Sequence, residues 1–302
     1  MAEKERVGYI GVGLMGHGAA KNILAKGYAL TVMGHRNRQP VDDLLGRGAS
    51  EAKTPADVSR ASDIVFLCLP SSVEVEAAVY GADGFLAGCR SGMVLVDSTT
   101  ADPNSTRKIG STLAARGVGM VDSPLGRTPK EAEEGKLSTF LGGDPETVKR
   151  VRPVVECYAD TIIDAGPLGS GTTLKLINNF ISIGTCAVIS EALTTAAKLG
   201  VDMKKLYEVV SAGGANSRMF QMVMPWVLEG DDGHLKGPVR IASKDIRYYA
   251  KLAEEAQSLA FIAQAVNQSL QLAQTRGHGD RFISVLPGIL ADLVGVKIRK
   301  LD

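Results

Sequence analysis

Two clusters of residues in this 302-residue chain have the types and spacing that chemistry needs. One is Lys175-Leu176-Ile177-Asn178-Asn179, inside a proline-free run from Thr172 to Gly200. Leu174, Ile177, Phe180, Ile181, Ile183, Val188, Leu193 and Ala196 recur along it at intervals that suit a helix apolar on more than one face. Lys175 and Asn179 lie four apart and so share one helical face, with Asn178 beside them. An unpaired ammonium or amide among apolar side chains is costly, so such residues are either structurally paired or have a task. The task open to a desolvated lysine is proton transfer near neutrality, while an adjacent amide orients a hydroxyl or carbonyl.

The other cluster is Gly11-Val12-Gly13-Leu14-Met15-Gly16, which follows the first apolar run directly and opens a helix-like segment. In that setting the first glycine allows a tight turn, the second lets backbone approach a pyrophosphate, and the third lets helix and strand pack closely. A phosphate would then sit at a helix N-terminus. The choice of dinucleotide is read at the end of the second strand, where an acidic side chain binds the adenosine ribose of NAD. Here the strand runs into Met33-Gly34-His35-Arg36-Asn37-Arg38, with no carboxylate before Asp42. Arg36 and Arg38, with His35, offer a charged fork to a 2′-phosphate. The expected cofactor is therefore NADP(H), with NAD(H) the alternative if these are solvated loop arginines. Leu69 and Pro70, and Thr100, fall at later strand ends and are candidate cofactor contacts, although a strand-end threonine is also an ordinary helix cap.

These clusters need elements to position them. From Val7 to about Ala165 short apolar runs (VGYIGV, ALTVMG, DIVFLCLP, MVLVDST, GMVDSPL, STFLGG) alternate with turns and helix-like segments, the rhythm of buried parallel strands with crossover helices. Gly16 to Lys26 reads as the first helix, closed by Gly27. After Gly166-Pro167-Leu168-Gly169-Ser170-Gly171 the character changes to helix throughout, including Met203–Ser211, Met219–Leu228, Ser243–Ser258 and Phe261–Gln274. The expected fold is α/β: a Rossmann-type doubly wound sheet over 1–167, then an all-α domain over 168–302. The latter is expected to hold substrate and mediate oligomerisation.

Composition narrows the partners. With 34 basic and 33 acidic residues there is no global field for a polyanion, so nucleic acid is not expected and anion recognition must be local. The charged N-terminus gives way to a glycine-broken apolar run unlike a signal peptide, and no uninterrupted apolar stretch approaches the ~18 residues of a membrane span. A cytoplasmic protein without a membrane partner is expected. Cys68, Cys89, Cys157 and Cys186 lie far apart and read as reduced thiols, and neither they nor His17, His35, His234 and His278 have metal-ligand spacing.

Taken together these segments resemble the β-hydroxyacid (3-hydroxyisobutyrate) dehydrogenase family over the whole chain. The opening IGVGLMG with Asn22 is similar to its cofactor signature, and Thr99-Thr100 with Pro103 to its D-x-S-T-x-x-P segment. Lys175 to Asn179 matches its K-x-x-x-N helix, and Lys244-Asp245 its C-terminal lysine-aspartate pair. The resemblance implies hydride transfer at a hydroxyl carbon with Lys175 as general acid/base, Asn179 as its polar partner, and Lys244 near cofactor and substrate. It also implies a homodimer or homotetramer.

The chain departs from the family where D-x-P-V-S-G-G is replaced by Asp122-Ser123-Pro124-Leu125-Gly126-Arg127-Thr128, and where Thr99 replaces serine. Gly-Arg-Thr with Lys-Leu-Ile-Asn-Asn resembles the sulfolactaldehyde reductase branch. That likeness implies a small anionic substrate, 3-sulfolactaldehyde, reduced to 2,3-dihydroxypropane-1-sulfonate. Its sulfonate and hydroxyl would be held by Arg127, Thr128, Asn178, Asn179 and Ser182, with Thr99 a further substrate contact. The alternatives are a carboxylate semialdehyde reductase, or a 3-hydroxyisobutyrate- or tartronate-semialdehyde-type dehydrogenase in which Arg127 pairs with Glu131 or Asp122. A decarboxylating sugar-acid dehydrogenase would carry K-x-x-H-N, where Asn178 stands here. Imine reductases commonly replace the lysine, and a non-catalytic dinucleotide sensor would not need Lys175 with Asn179.

Overall fold

The structure, a computed structural model, describes residues 4–34, 36–299 and 301. The chain separates into two compact units, one ending at Lys175 and the other beginning at Leu176.

The first unit is built on β1 (Val7–Ile10), α1 (Gly16–Ala25), β2 (Leu30–Met33), α2 (Gln39–Gly46), β3 (Ser50–Ala52), α3 (Pro55–Ala61), β4 (Ile64–Leu67), α4 (Ser72–Tyr80), α5 (Phe85–Gly88) and β5 (Val94–Asp97). It continues with α6 (Pro103–Ala114), β6 (Gly119–Asp122), β7 (Leu125–Gly126), α7 (Pro129–Glu134), β8 (Leu137–Gly143), α8 (Pro145–Val155) and β9 (Ala159–Gly166). Strands β3-β2-β1-β4-β5-β6 lie side by side and all parallel, the order of a doubly wound nucleotide-binding sheet. Strands β1, β4 and β5 are buried at every residue, which is why they read as continuous apolar runs rather than alternating ones. Two cores cover the two faces: one gathers Tyr9, Ile23, Phe66, Val121 and Tyr158, the other Ile10, Val65, Leu67, Phe85 and Leu95. Phe66 stacks on Tyr9 at 5.7 Å and meets Tyr158 edge-on at 6.1 Å, so its truncation to alanine costs about 3–5 kcal/mol.

The parallel reading ends at β6. Strand β8 runs antiparallel to β6, β7 antiparallel to β8, and β9 parallel to β8. Strands β3 and β9 lack the apolar-run signature because most of their residues are exposed or half-buried.

Helix α9 (Ser170–Lys198) begins in the first unit and continues into the second, which holds α10 (Met203–Ala212), α11 (Arg218–Glu229), α12 (Val239–Glu255), α13 (Phe261–Thr275), a 3-10 turn at Ile283–Val285, and α14 (Leu286–Leu293). Its core gathers Cys186, Leu193, Phe220, Trp226, Ile246, Leu270 and Leu286. By length and composition α9 alone meets the criterion for a membrane span among the described residues. Its sequence is apolar on more than one face. Leu174, Ile177, Ile181 and Val188 are exposed, whereas Leu176, Cys186, Ala187 and Leu193 are buried. The first turn of α9 is bonded to β6 and seated against β8, and the two units meet within that helix, at 175/176.

Candidate active site

The glycine loop has the shape of a phosphate cradle. Gly11 adopts φ +98°, and a Cβ there would lie 2.2 Å from the Cys68 carbonyl oxygen, so only glycine turns the chain this close to β4. A Cβ on Gly16 would meet the Gly11 carbonyl oxygen at 2.0 Å, whereas one on Gly13 would meet nothing within 4 Å. The loop is thus tight where it packs and open where Gly13 faces outward, which is what close approach of a pyrophosphate to backbone N–H groups requires. Val12 is buried and Met15 packs against the core, while Leu14 projects at 64% exposure. Asn22 donates to the carbonyls of Ala132 and Glu133 at the end of α7, so in this fold it fixes α1 against α7.

Next to the loop, Leu69 N–H donates to Thr99 Oγ1 at 3.0 Å, and Thr99 N–H to Asp97 Oδ1 at 2.9 Å. Thr99 is only 2% exposed and ties the ends of β4 and β5 together. Leu69 and Thr100 are half-buried and Pro70 exposed at the same strand ends.

The basic fork is partly engaged within the chain. His35 lies outside the described residues, and Arg36 is exposed. Arg38 is not a free guanidinium: Nη1 and Nη2 donate to Glu51 at 2.5 and 3.0 Å, and Nη2 also to Asp42 at 2.9 Å. The carboxylates hold the guanidinium pKa high, and Arg38 in turn holds that of Glu51 low.

Lys175 lies on α9 and is 9% exposed. One turn further along the same helix, Asn179 Nδ2 donates to Asp245 Oδ2 at 2.7 Å, and Asp245 Oδ1 pairs with Lys244 Nζ at 3.1 Å. Both members of that pair are buried, and Lys244 also lies over the Tyr248 ring at 5.5 Å. Asp245 is therefore the link that orients Asn179, a role not assigned to it from sequence. Asn178 is exposed and Ser182 half-buried on the same helix.

Arg127 is engaged by the chain itself. Its backbone is left-handed at φ +72°, and its guanidinium donates to the Lys136 carbonyl, to Asp160 at 2.9 Å and to Thr161 Oγ1 at 2.8 Å. It pairs with neither Glu131 nor Asp122, and the fork meant for a substrate anion is occupied by the chain's own β8–β9 edge. Thr128 caps α7, with Thr128 N–H donating to Glu131 at 3.1 Å and the Thr128 hydroxyl to the same carboxylate. Asp122, absent from the expected site, receives Gly169 N–H at 2.7 Å and Thr172 N–H and Oγ1–H at 2.6 and 2.9 Å.

Comparison with known proteins agrees with this architecture. Residues 6–166 match the family described as the NAD binding domain of 6-phosphogluconate dehydrogenase, and residues 169–286 that described as NAD-binding of NADP-dependent 3-hydroxyisobutyrate dehydrogenase. A 3-hydroxyisobutyrate dehydrogenase-like protein of Arabidopsis thaliana is 35% identical over 220 residues, 72% of this chain and 73% of that one. The 2-(hydroxymethyl)glutarate dehydrogenase of Eubacterium barkeri is 26% identical over 301 residues, 99% of each chain. The crystal structure of 3-hydroxyisobutyrate dehydrogenase from Salmonella typhimurium superposes with a TM-score of 0.84 at 25% identity, covering 95% of this chain and all of that one. The chain is an NAD(P)-dependent oxidoreductase acting on CH–OH groups, and it belongs to the 3-hydroxyisobutyrate dehydrogenase family of β-hydroxyacid dehydrogenases.

Proposed function

We propose that the chain interconverts a short carboxylate-bearing semialdehyde and the corresponding 3-hydroxy acid, with Lys175 as general acid/base. The observation that carries the substrate class is the commitment of Arg127 to Asp160, Thr161 and the Lys136 carbonyl, which leaves anion recognition to neutral donors such as Asn178 and Ser182. The names of the relatives, 3-hydroxyisobutyrate and 2-(hydroxymethyl)glutarate dehydrogenase, also denote hydroxy acids. Gly11, Gly13 and Gly16 fit the pyrophosphate of a nicotinamide dinucleotide, which supplies or accepts the hydride when bound. Lys175 Nζ gives a proton to the carbonyl oxygen in reduction and takes it back from the hydroxyl in oxidation. Asn179, its amide oriented by Asp245, orients the substrate oxygen.

The test is initial rate with NADH or NADPH on succinic, methylmalonate and tartronate semialdehydes, glyoxylate and 3-sulfolactaldehyde. Preference for a carboxylate, retained in Arg127→Ala, supports this reading. Preference for the sulfonate, lost in Arg127→Ala, replaces it with the sulfolactaldehyde reading.

We also propose that the active form is a homo-oligomer. Leu174, Ile181 and Val188 are exposed at seven-residue spacing on one helix, an apolar stripe of the kind assembly interfaces cover. Light scattering of the intact chain giving a monomer mass would exclude it.

A further inference from the structure

We propose that Glu51, from the third strand, is the residue that selects between NAD(H) and NADP(H), by occupying Arg38 and penalising a 2′-phosphate. The inference rests on the nicotinamide-dinucleotide reading of the glycine loop and deepens it.

In folds of this type the adenosine ribose is read at the end of the second strand. Here β2 ends at Met33, and no carboxylate follows it in the chain before Asp42. The neighbouring strand supplies one. Register pairs Val32 with Glu51 and Met33 with Ala52, so β3 brings Glu51 alongside the end of β2. A Cβ added to Gly34 would lie 2.2 Å from Glu51 Oε1 and 2.4 Å from Arg38 Nη1. The ion pair therefore sits directly over Gly34, in space that a side chain on the strand end would take.

Two carboxylates, Glu51 and Asp42, share the Arg38 guanidinium. A 2′-phosphate that used Arg38 would have to displace Glu51, and would bring its own negative charge against the freed carboxylate. A ribose 2′-hydroxyl meets no such penalty, because a carboxylate accepts its hydrogen bond. Arg36, exposed two positions before Arg38 in the chain, adds positive charge to the segment. Glu51 thus performs from β3 the discrimination that an acidic residue on β2 performs elsewhere, and the basic appearance of the Arg36–Arg38 segment is misleading by itself.

The test is binding of NADH and NADPH to the full-length protein by titration calorimetry, for wild type, Glu51→Gln, Arg38→Ala and the double variant. Glu51→Gln removes the charge with little change of shape, and is expected to tighten NADPH relative to NADH by about tenfold, the size of one lost like-charge contact. Gly34→Ala, which displaces the pair without altering its charges, is expected to move the ratio in the same direction. In the Arg38→Ala background Glu51→Gln should shift the ratio less, since the guanidinium it frees is gone. An NADPH/NADH dissociation-constant ratio that Glu51→Gln leaves unchanged, with both cofactors still bound, overturns the role of Glu51 and leaves the dinucleotide site standing. Wild type that binds neither dinucleotide overturns the site and this inference together.

Discussion

The carboxylate of Asp122, at the end of β6, receives both the backbone N–H and the hydroxyl of Thr172, one turn before Lys175 on α9. Gly169 N–H completes the set, so a buried negative charge sits at the helix N-terminus, where the dipole and the unpaired N–H groups favour it. Burial raises the Asp122 carboxyl above the ordinary carboxylate value, against the pull of the Gly169 and Thr172 donors. The approach is close: a Cβ on Gly171 would lie 2.1 Å from the Phe140 carbonyl oxygen, and one on Gly142 would lie 2.4 Å from Asp122 Oδ1. Asp122→Asn turns an NH₂ group toward N–H donors and is expected to cost about 1–3 kcal/mol, measured by urea unfolding. Because Lys175 follows on the same turns, kcat is expected to fall while dinucleotide affinity holds. A variant with wild-type kcat at equal folded fraction would show that the cap does not position the lysine.

Lys175→Ala should lower kcat by roughly a hundred- to ten-thousandfold, the usual worth of one general acid/base group, and leave dinucleotide binding intact. Stopped-flow reduction with saturating cofactor separates the two effects. Near-full turnover would remove Lys175 from the proton path.

Arg127 occupies left-handed backbone, a conformation that costs a residue with a Cβ about 1–2 kcal/mol. Arg127→Ala keeps that cost and loses the contacts to Asp160, Thr161 and the Lys136 carbonyl. Arg127→Gly loses the contacts but relieves the backbone. Thermal unfolding is therefore expected to place the glycine variant above the alanine variant, and the reverse order would argue against strain at this position.

Acid should loosen the first unit through Asp63. Arg6 hydrogen-bonds its carboxylate at 2.8–3.0 Å and Arg90 pairs with it, and Arg6 is the main reason that carboxyl is held at about 2. A carboxyl depressed in the folded state stabilises above its unfolded pKa of about 4, and that contribution disappears as pH falls through the folded value. Stability carried by Asp63 should therefore decline from about pH 4 toward pH 2, by about 1 kcal/mol for a partly exposed pair. Asp63→Asn should lose that amount at neutral pH and show a shallower acid limb in denaturant titrations. An unchanged limb would assign the acid response to other carboxylates.

Much of this protein was legible one segment at a time. The run VGYIGV followed by Gly11, Gly13 and Gly16 specifies strand, turn and helix within ten residues, because tight turns and close packing demand glycine locally. Lys175 and Asn179 share a helical face by spacing alone, and the change from short apolar runs to long helical ones marked the two kinds of unit. Strand β9 is not legible in the sequence because it is mostly exposed or half-buried and carries no apolar run.

What only the tertiary structure decided is the pairing of charges and amides across long stretches of chain. Arg127 meets Asp160 and Thr161 because β7, β8 and β9 are neighbours in a partly antiparallel extension of the sheet, and nothing in Gly-Arg-Thr distinguishes that fate from an anion fork. Asn179 is oriented by Asp245, 66 positions away, and Arg38 is claimed by Glu51 from the next strand. Propensity and periodicity act over a few residues, whereas the partner of a polar group is set by which elements the burial of apolar faces brings together.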